Sequence, residues 1–338
     1  MIVLRITSGL GNQMYQYAFY TLLKEKYKDT EVLCDTTWFH NNHEGRKYEL
    51  ETIFSGVEGS LFEIKKAGFL QIVKLSGKIP NLFDGSIGKI FEAFRRYPNR
   101  LLKDSLLKKR KPFILEQLSD ELPDVNILSE DNGVSNSFYD KVMSLDITKD
   151  WYITGFFIEE KYYSNVLERV REKFVFPKIS ESSNIEYAKQ ISECDSISIH
   201  VRRGDYLSDL YKDKFLTLGK EYYEKAINHV SELIINKCNS EGREPNIKYF
   251  IFSDDEEFVK KEFNWLNNKV IVSGNDGDLC YRDMQLMSLC KHNITANSTF
   301  SQWGALLNTN DGHITVYPKA YMVDSDNEKK EDPSWIRI

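Results

Sequence analysis

The sequence from residue 195 to residue 317 alternates regularly between short apolar runs and longer amphipathic runs, and this pattern constrains the fold most. Strands are predicted at 196–200, 248–253, 270–273, 293–296 and 313–317, and helices at 221–235, 255–265, 281–290 and 300–308. Strands that alternate with helices of about this length form βαβ units around a parallel sheet. The second half of the chain is therefore predicted to be Rossmann-like.

The first half of the chain begins in the same way. A buried strand is predicted from Ile2 to Ile6, followed by a glycine turn, a helix from Met14 to Lys26 and a strand at 31–34. Beyond this point the pattern is less regular. Because 338 residues exceed what one core usually holds, we expect two domains, 1–180 and 181–338, with a boundary in the polar stretch 177–183.

The overall composition argues against two classes of partner or location. Lys and Arg number 45 against 51 Asp and Glu, and a net charge of −6 argues against nucleic-acid binding through phosphate attraction. The run from Met1 to Ile6 is too short for a signal peptide, and no apolar run approaches the ~20 residues of a membrane span, so a cytoplasmic location is predicted. The five cysteines form no CxxC pair and are predicted to be reduced.

One segment is strongly basic. Residues 95–111 contain eight Lys and Arg residues, a single acid at Asp104 and four interleaved leucines. Two interpretations are open: peripheral contact with the inner membrane or a lipid-diphosphate acceptor, or a solvated helix whose leucines face the core.

The ends of the predicted strands carry the residues that could bind a ligand, because ligands of a doubly wound sheet lie beyond the carboxyl ends of its strands. After the first strand, Gly9 and Gly11 permit a tight turn, and the helix that begins near Asn12 and Gln13 would direct backbone N–H groups at an anion or a sugar hydroxyl. A plain strand-to-helix connector has the same pattern.

A pair of arginines follows the strand at 196–200. His200, Arg202, Arg203 and Asp205 lie within six residues, and neighbouring side chains at a strand end point in opposite directions. One guanidinium can therefore face a cleft and bind two phosphate oxygens, while the other pairs with a carboxylate such as Asp205. A purely structural network of ion pairs is the alternative.

Two further strand ends carry polar residues. Ser253, Asp254 and Asp255 either cap the next helix through Ser253 or Asp254, or place a carboxylate against the N1–H and exocyclic amine of guanine. A second polar segment opens the helix at 300–308 and could complete a phosphate cradle or simply cap that helix. Its residues are Asn297, Ser298, Thr299 and Phe300.

No metal site is predicted. Acids two residues apart occur at 276–278 and 324–326, but such pairs are common by chance among 51 acids, and both lie in polar loops. His40 and His43 have no evident third ligand. Arginines and helix ends can neutralise a diphosphate instead.

With these residues in view, the chain resembles the bacterial alpha-1,2-fucosyltransferases of glycosyltransferase family 11 over nearly its whole length. The segment from Ser8 to Ala18, SGLGNQMYQYA, is similar to the family's GGLGNQMFQYA, and His200 to Tyr206 matches its HxRRxD segment. The stretches 151–163 and 286–303 resemble its middle and carboxyl-terminal motifs. Departures are Ser8 for a glycine, Tyr15 for a phenylalanine and Gln302 for a tryptophan, and Gln302 would alter helix packing or the acceptor rim.

The resemblance implies a glycosyltransferase B architecture, in which two Rossmann-like domains face a central cleft. The first domain would contact the acceptor and the second would bind GDP-fucose. L-fucose would pass from GDP-β-L-fucose to a galactose-containing oligosaccharide or lipid-linked glycan with inversion, in O-antigen or oligosaccharide synthesis, without a metal or other cofactor. Alternatives are transfer of another nucleotide sugar and sugar-nucleotide or carbohydrate binding without turnover.

The resemblance also implies roles for individual residues. Arg202 would bind the β-phosphate, and His200 with Asp254 or Asp255 would lie near guanine. Residues of the glycine turn would approach the donor from the first domain, and Ser298, Thr299 and Phe300 would close around the diphosphate. The general base is open among Asp205, Glu159 and Asp35.

Overall fold

The computed structural model describes residues 1–40, 42, 44–76, 78–108, 135–209, 211–322 and 332–338, with backbone alone for 96, 97, 99–108 and 135–137. These residues form two compact units, Met1–Val175 and Phe176–Ile338. The sequence places the domain boundary after residue 180, and the acceptor and donor roles of the two domains stay predictions.

The first unit is built on a parallel sheet of three strands in the order β2-β1-β3. The strands are β1 (Ile2–Arg5), β2 (Val32–Asp35) and β3 (Trp151–Ile153), and the helices are α1 (Leu10–Lys26), α2 (Leu50–Phe54), α3 (Phe69–Ser76), α4 (Gly85–Lys108), α5 (Ser135–Met143) and α6 (Leu167–Arg171). Strand β3 pairs with β1 although more than a hundred residues separate them in sequence. Helix α1 is buried almost all round, which is typical of a helix inside a core.

The second unit contains a parallel sheet of six strands in the order β6-β5-β4-β7-β8-β9. The strands are β4 (Asp195–Val201), β5 (Ile247–Ser253), β6 (Lys269–Ile271), β7 (His292–Ile294), β8 (Thr315–Tyr317) and β9 (Ile336–Arg337), and the helices are α7 (Ser182–Ser192), α8 (Lys220–Glu241), α9 (Glu256–Glu262), α10 (Tyr281–Leu289) and α11 (Thr299–Leu306). The predicted α/β class with parallel sheets is confirmed. The segments 332–338 and 182–192 add a strand and a helix to those predicted.

Two apolar clusters cover the faces of the second sheet. Ile251 packs on one face with side chains of α8, while Phe250 and Phe252 pack on the other with side chains of α7 and α10. This alternation follows from the two-residue period of a strand. Because both faces are covered, β4 is buried along its whole length, and ligands can approach only at the ends of the strands.

The order of the strands reverses between β4 and β7. The chain runs from β4 through β5 to β6 on one side, and from β7 through β8 to β9 on the other. At such a topological switch point the two following loops leave in opposite directions and open a crevice at the carboxyl ends of the strands. Residues that follow β4 and β7 therefore occupy the position where a ligand is expected.

The glycine turn of the first unit depends on a residue in a left-handed conformation. Ser8 has φ of +69°, a region in which a Cβ atom is disfavoured. The side-chain amide of Asn12 donates to Ser8 Oγ at 3.0 Å and that of Gln13 donates to the Ser8 carbonyl at 2.9 Å. These bonds hold Ser8 where the resemblance has a glycine.

Gln13 has a structural role that its predicted place at the donor did not include. Its side chain is fully buried, and it also donates to the Lys47 carbonyl and accepts from the Glu49 amide. All hydrogen-bonding groups of this amide are thus used within the first unit. The predicted donor contact of Gln13 is therefore corrected, because no surface of its side chain is left for a ligand.

We expect Ser8→Gly to be more stable than Ser8→Ala by roughly 0.5–1 kcal/mol, because both remove the hydroxyl but only alanine keeps a Cβ in the left-handed region. Urea unfolding of the two variants in parallel measures the difference. Equal stability would mean that the turn relaxes to another conformation.

Candidate functional site

The strand ends of the second unit bring most of the predicted site residues to one edge of the sheet. His200 lies near the end of β4 and pairs in register with Phe252 of β5. Arg202 and Arg203 come directly after β4, and Ser253 ends β5. The segment that begins at Asn297 follows β7, across the switch point.

Arg202 joins the loops that follow β4 and β5. Its Nη2 donates to Asp205 Oδ1 at 2.8 Å, and its Nη1 lies 2.8 Å from Asp254 Oδ2. Burial alone would lower the pKa of Arg202, but the two carboxylates outweigh it and hold that pKa above its usual value. The guanidinium is therefore a fixed positive charge whose orientation is set from two sides.

Arg203 has a different partner from the one predicted. Its Nε donates to Asp255 Oδ2 at 3.1 Å, and its guanidinium carbon lies 3.6 Å from the centre of the Phe258 ring. From the sequence, Asp205 is an example of the carboxylate expected to pair with the second arginine; the structure places Asp255 against Arg203, while Asp205 pairs with Arg202. The loop after β4 turns back on itself, and this brings Arg202 rather than Arg203 against Asp205.

Asp255, and neither Ser253 nor Asp254, caps helix α9. Its Oδ1 accepts from the Phe258 amide at 3.0 Å, while Ser253 Oγ accepts from the Asp255 amide at 3.0 Å. A carboxylate at this position also favours the positive end of the helix dipole. The segment therefore caps the helix as predicted, but the capping residue is Asp255 rather than Ser253 or Asp254.

Gly204 lets the two loops approach each other closely. A Cβ atom at this position would lie 2.7 Å from Asp254 Oδ2 and 3.0 Å from its Cγ, closer than nonbonded atoms approach. The Arg203 amide donates to Asp254 Oδ1 at 2.9 Å, and this fixes the carboxylate against the glycine. Both oxygens of Asp254 are therefore used to hold the loop that carries Arg202.

His200 is buried and uncharged. Only 5% of its surface is exposed, and burial lowers its pKa to about 4, with Arg202 acting in the same direction and Asp254 opposing it. Its ring lies 5.8 Å from that of Phe300. Within the described part of the chain, Nδ1 is buried without a hydrogen-bond partner, which is uncommon for a buried polar atom.

The segment before helix α11 contacts the loop that follows β4 and carries Arg202 and Arg203. The Tyr206 hydroxyl donates to the Asn297 carbonyl at 2.8 Å, and the Asn297 amide donates to the carbonyls of Leu216 and Tyr321. Ser298 precedes the helix and makes no side-chain capping bond. The first turn of α11, with Thr299 and Phe300, contains no acid, and the backbone N–H groups of a first helical turn have no partner within the helix.

Two carboxylates of the first unit were considered as a base. Asp35 is buried, and it accepts hydrogen bonds from Thr37 at 2.8 and 2.7 Å and from the Tyr152 hydroxyl at 2.6 Å. Glu159 is partly exposed and lies 3.1 Å from Lys161 Nζ. Asp35 is thus a structural residue that ties β2 to β3, and only Glu159 reaches solvent.

The described residues contain no group of three or more His, Cys, Asp and Glu arranged for a metal ion. Residues 324–326 and His43 lie outside the described part, so metal independence stays a prediction. Over the same described ranges, no helix is both long and apolar enough to cross a membrane. Most side chains of the basic segment 95–111 lie outside the part of the chain that the structure describes, so the role of this segment stays a prediction.

Sequence reasoning missed a buried polar network at the start of α10. Asn184 and Asn275 exchange two hydrogen bonds, of 2.7 and 3.1 Å, and Asn275 donates to Asp283 at 2.7 Å. Burial raises the pKa of Asp283 to about 7, and Asp276 and Glu256 act in the same direction. An aspartate in a first helical turn is common, so nothing in the pattern distinguished this one.

Gln302 lies inside the second unit. Its side chain is fully buried and donates to the Tyr321 hydroxyl. Of the two effects expected for the departure at this position, the structure supports altered helix packing, because the amide reaches a tyrosine on the chain that follows β8. A place on an acceptor rim is excluded by its burial.

Comparison with known proteins identifies the family to which the chain belongs. The profile described as glycosyl transferase family 11 matches residues 60–338. The chain is 28% identical to the O-antigen biosynthesis glycosyltransferase WbnK of Escherichia coli, over 98% of this chain and 99% of that protein. It is 29% identical to an alpha-1,2-colitosyltransferase of Escherichia coli, over 100% and 99%.

Among solved structures, the fucosyltransferase NodZ from Bradyrhizobium is 15% identical with a TM-score of 0.48, over 90% of this chain and 92% of that one. The parallel α/β units and the family profile together define a glycosyltransferase. The chain belongs to glycosyl transferase family 11.

We expect Gly204→Ala to lower glycosyl transfer by at least about tenfold, since a new Cβ displaces Asp254 and releases Arg202. Gly219→Ala is the matched control, because a Cβ there meets nothing within 4 Å. Steady-state rates with both variants check this, and an active Gly204→Ala enzyme would show that the loop contact is dispensable.

The titration of Asp283 predicts a pH-dependent stability. A carboxyl whose pKa rises to about 7 on folding stabilises the fold at acid pH and loses that contribution as pH rises from about 4 towards 7. Asp283→Asn does not titrate, so its free energy of unfolding relative to the natural chain should rise between pH 5 and pH 8 by on the order of 1–3 kcal/mol.

Urea unfolding at the two pH values measures this difference. Asp146→Asn is the control, because the pKa of Asp146 is lowered to about 2 by hydrogen bonds from Thr148 and Lys149, and its contribution therefore changes only in stronger acid. A pH-independent difference for Asp283→Asn would contradict the raised pKa.

Proposed function

We propose that the protein is an inverting alpha-1,2-fucosyltransferase that moves L-fucose from GDP-β-L-fucose to a hydroxyl of a galactoside acceptor. The observation that carries the proposal is the position of Arg202, held by Asp205 and Asp254 at the switch point of a family 11 chain. The names of the two Escherichia coli relatives support the linkage and a place in O-antigen synthesis.

The diphosphate of the donor binds between Arg202 and the start of α11. An arginine side chain has five N–H donors. In the described part of the chain, Arg202 contacts Asp205 through Nη2 and Asp254 through Nη1. The backbone donors of the first turn of α11 supply a second positive end. This second source matters because the two arginines face three carboxylates, Asp205, Asp254 and Asp255, so the loop has no excess positive charge of its own.

Arg202 acts when the bond to the nucleotide breaks. The acceptor hydroxyl attacks the anomeric carbon from the face opposite GDP, and negative charge grows on the leaving diphosphate. A preorganised guanidinium stabilises this charge more in the transition state than in the ground state. No metal is required in this scheme, since Arg202 and the helix start perform the neutralisation.

The remaining residues position this arrangement. Asp254 and Asp205 orient Arg202. Asp255 accepts a hydrogen bond from Arg203, and the ring of Phe258 packs against the Arg203 guanidinium. His200 lies beside Phe300 and next to the arginine pair, at the place where the family resemblance puts guanine. We assign Asp254 a positioning role rather than a contact with guanine, because both of its oxygens already accept protein hydrogen bonds or ion pairs.

The proton of the acceptor hydroxyl needs a base. Asp205 forms an ion pair with Arg202 at 2.8 Å, so its carboxylate is engaged by the arginine of the site. Asp35 is buried with both oxygens occupied. Of the three carboxylates considered, Glu159 is the one we propose, because it is partly exposed and its ion-pair partner is Lys161 rather than Arg202.

The donor sugar has one alternative with a specific observation behind it. A relative of similar identity is named an alpha-1,2-colitosyltransferase, so GDP-colitose is the second candidate donor. The acceptor is a galactose-containing oligosaccharide or a lipid-linked glycan, and the expected location is cytoplasmic.

Arg202→Ala should lower the rate of transfer from GDP-fucose by about 10²–10³. Arg243→Ala is the matched control, because Arg243 also pairs with a carboxylate, Asp195, but at the opposite end of β4. Transfer is measured with GDP-fucose, GDP-colitose and UDP-galactose, and NMR of the product locates the linkage.

Three outcomes would contradict the proposal. Full activity of Arg202→Ala removes the phosphate role, and faster transfer from GDP-colitose makes colitose the donor. Binding of GDP-fucose by the natural chain with neither transfer nor hydrolysis supports a binding protein without turnover.

A further inference from the structure

A polar cavity lies at the amino ends of β4 and β7, at the edge of the second sheet opposite Arg202. Its volume is about 220 Å³, several times the roughly 30 Å³ that one water molecule occupies in the liquid. Asp195 begins β4 and His292 begins β7, and the last turns of α8 and the chain before β8 complete the wall. The seven residues of β4, at about 3.3 Å each, separate the cavity from Arg202 by about 23 Å. The cavity is therefore distinct from the candidate site described above.

His292 brings a hydrogen-bond donor to this cavity. Only 7% of its surface is exposed, and its Nδ1 accepts from the Ile314 amide at 3.0 Å. A neutral imidazole that accepts at Nδ1 carries its proton on Nε2. No described residue accepts a hydrogen bond from this Nε2, and the ring lines the cavity. The Nε2–H group is therefore available to a molecule bound there.

The charges around His292 favour an anion. Burial lowers the pKa of His292 to about 4, and Asp195 opposes this shift. The two lysines of the wall, Lys237 and Lys291, act in the same direction as burial, and so does His313. Cations that disfavour a protonated ring stabilise a negative charge at the same place.

Two acids of the wall are already compensated. Asp195 is buried, and it lies 2.9 Å from Arg243 Nη1 and 3.4 Å from Lys291 Nζ. Arg243 also pairs with Glu241 at 2.9 Å. These two acids and two cations balance each other, so they leave the charge of the cavity to the remaining residues.

Lys237 is the remaining cation of the wall. The other two lysines of α8 pair with glutamates one turn away, whereas Lys237 forms no ion pair with a described carboxylate. A Cβ atom at Gly312 would lie 3.0 Å from its Nζ, so the glycine lets the ammonium group approach the turn before β8. Asp311, the third acid of the wall, is exposed to solvent, where its charge is screened.

We propose that this cavity binds a phosphate group, either as free inorganic phosphate or as the phosphate of a small sugar phosphate. Lys237 supplies an ammonium group and His292 supplies a buried N–H donor, while Lys291 is a second ammonium group beside them. Lysine binds phosphate as a point charge. The site goes beyond the proposed transfer reaction, because none of its residues belongs to the loops around Arg202.

Isothermal titration calorimetry of the full chain with inorganic phosphate, glucose 1-phosphate and acetate tests the proposal. The natural chain should bind a phosphate saturably, and Arg202→Ala should retain this binding. Lys237→Ala should bind it at least about tenfold more weakly, because a charge-assisted contact is lost. Of the two phosphates, the one that binds more tightly identifies the source of the group.

The matched control is Lys225→Ala, on the same helix, because Lys225 pairs with Glu221 away from the cavity. It should bind phosphate like the natural chain. His292→Asn should weaken binding by about fivefold, because its Oδ1 can accept from the Ile314 amide as Nδ1 does but no donor replaces Nε2. Lys237 is exposed, so Lys237→Ala should fold, and thermal unfolding of each variant checks this.

Three results would overturn the proposal. The first is that neither phosphate binds saturably to the natural chain. The second is binding that Arg202→Ala removes and Lys237→Ala retains, since the phosphate then occupies the candidate site around Arg202. The third is acetate binding as tight as that of phosphate, since the cavity then does not select a phosphate group.

Discussion

The ion pairs of Arg202 organise the candidate site. A guanidinium at the end of a buried strand must be compensated, and here Asp205 and Asp254 compensate it from two loops at once. The pairs fix the direction of the arginine, and the close approach at Gly204 fixes the distance between the loops. Because three carboxylates face two arginines, the loop has no excess positive charge of its own.

The parallel α/β class and most elements of the second unit followed from the sequence, because a fully covered parallel sheet makes its strands continuously apolar. The candidate segments at the strand ends lie at one edge of the sheet for the same reason, since the carboxyl ends of parallel strands meet at that edge. In the first unit, β3 was missed because its partner β1 is more than a hundred residues away, and pairing at that separation leaves no local pattern.

The pairing of individual charges could not be predicted from sequence. The order of Arg202, Arg203 and Asp205 allows either arginine to meet the acid, and the turn of the backbone decides between them. The structural role of Gln13 could not be predicted, because a sequence does not show whether a glutamine side chain is buried in the core or binds a ligand. Likewise the exposure of Ile87 became visible only when the neighbours of α4 were known.

The ion pair between Arg202 and Asp254 lies within one supersecondary unit, β4-α8-β5. Strands β4 and β5 pair over seven residues each, and the segment that connects them contains α8. The loops that carry Arg202 and Asp254 are the ends of these two strands, so the ion pair needs no other strand to form. The direction of Arg202 is therefore set by the register of two neighbouring strands, and a shift of β4 against β5 would separate the arginine from Asp254 without changing either residue.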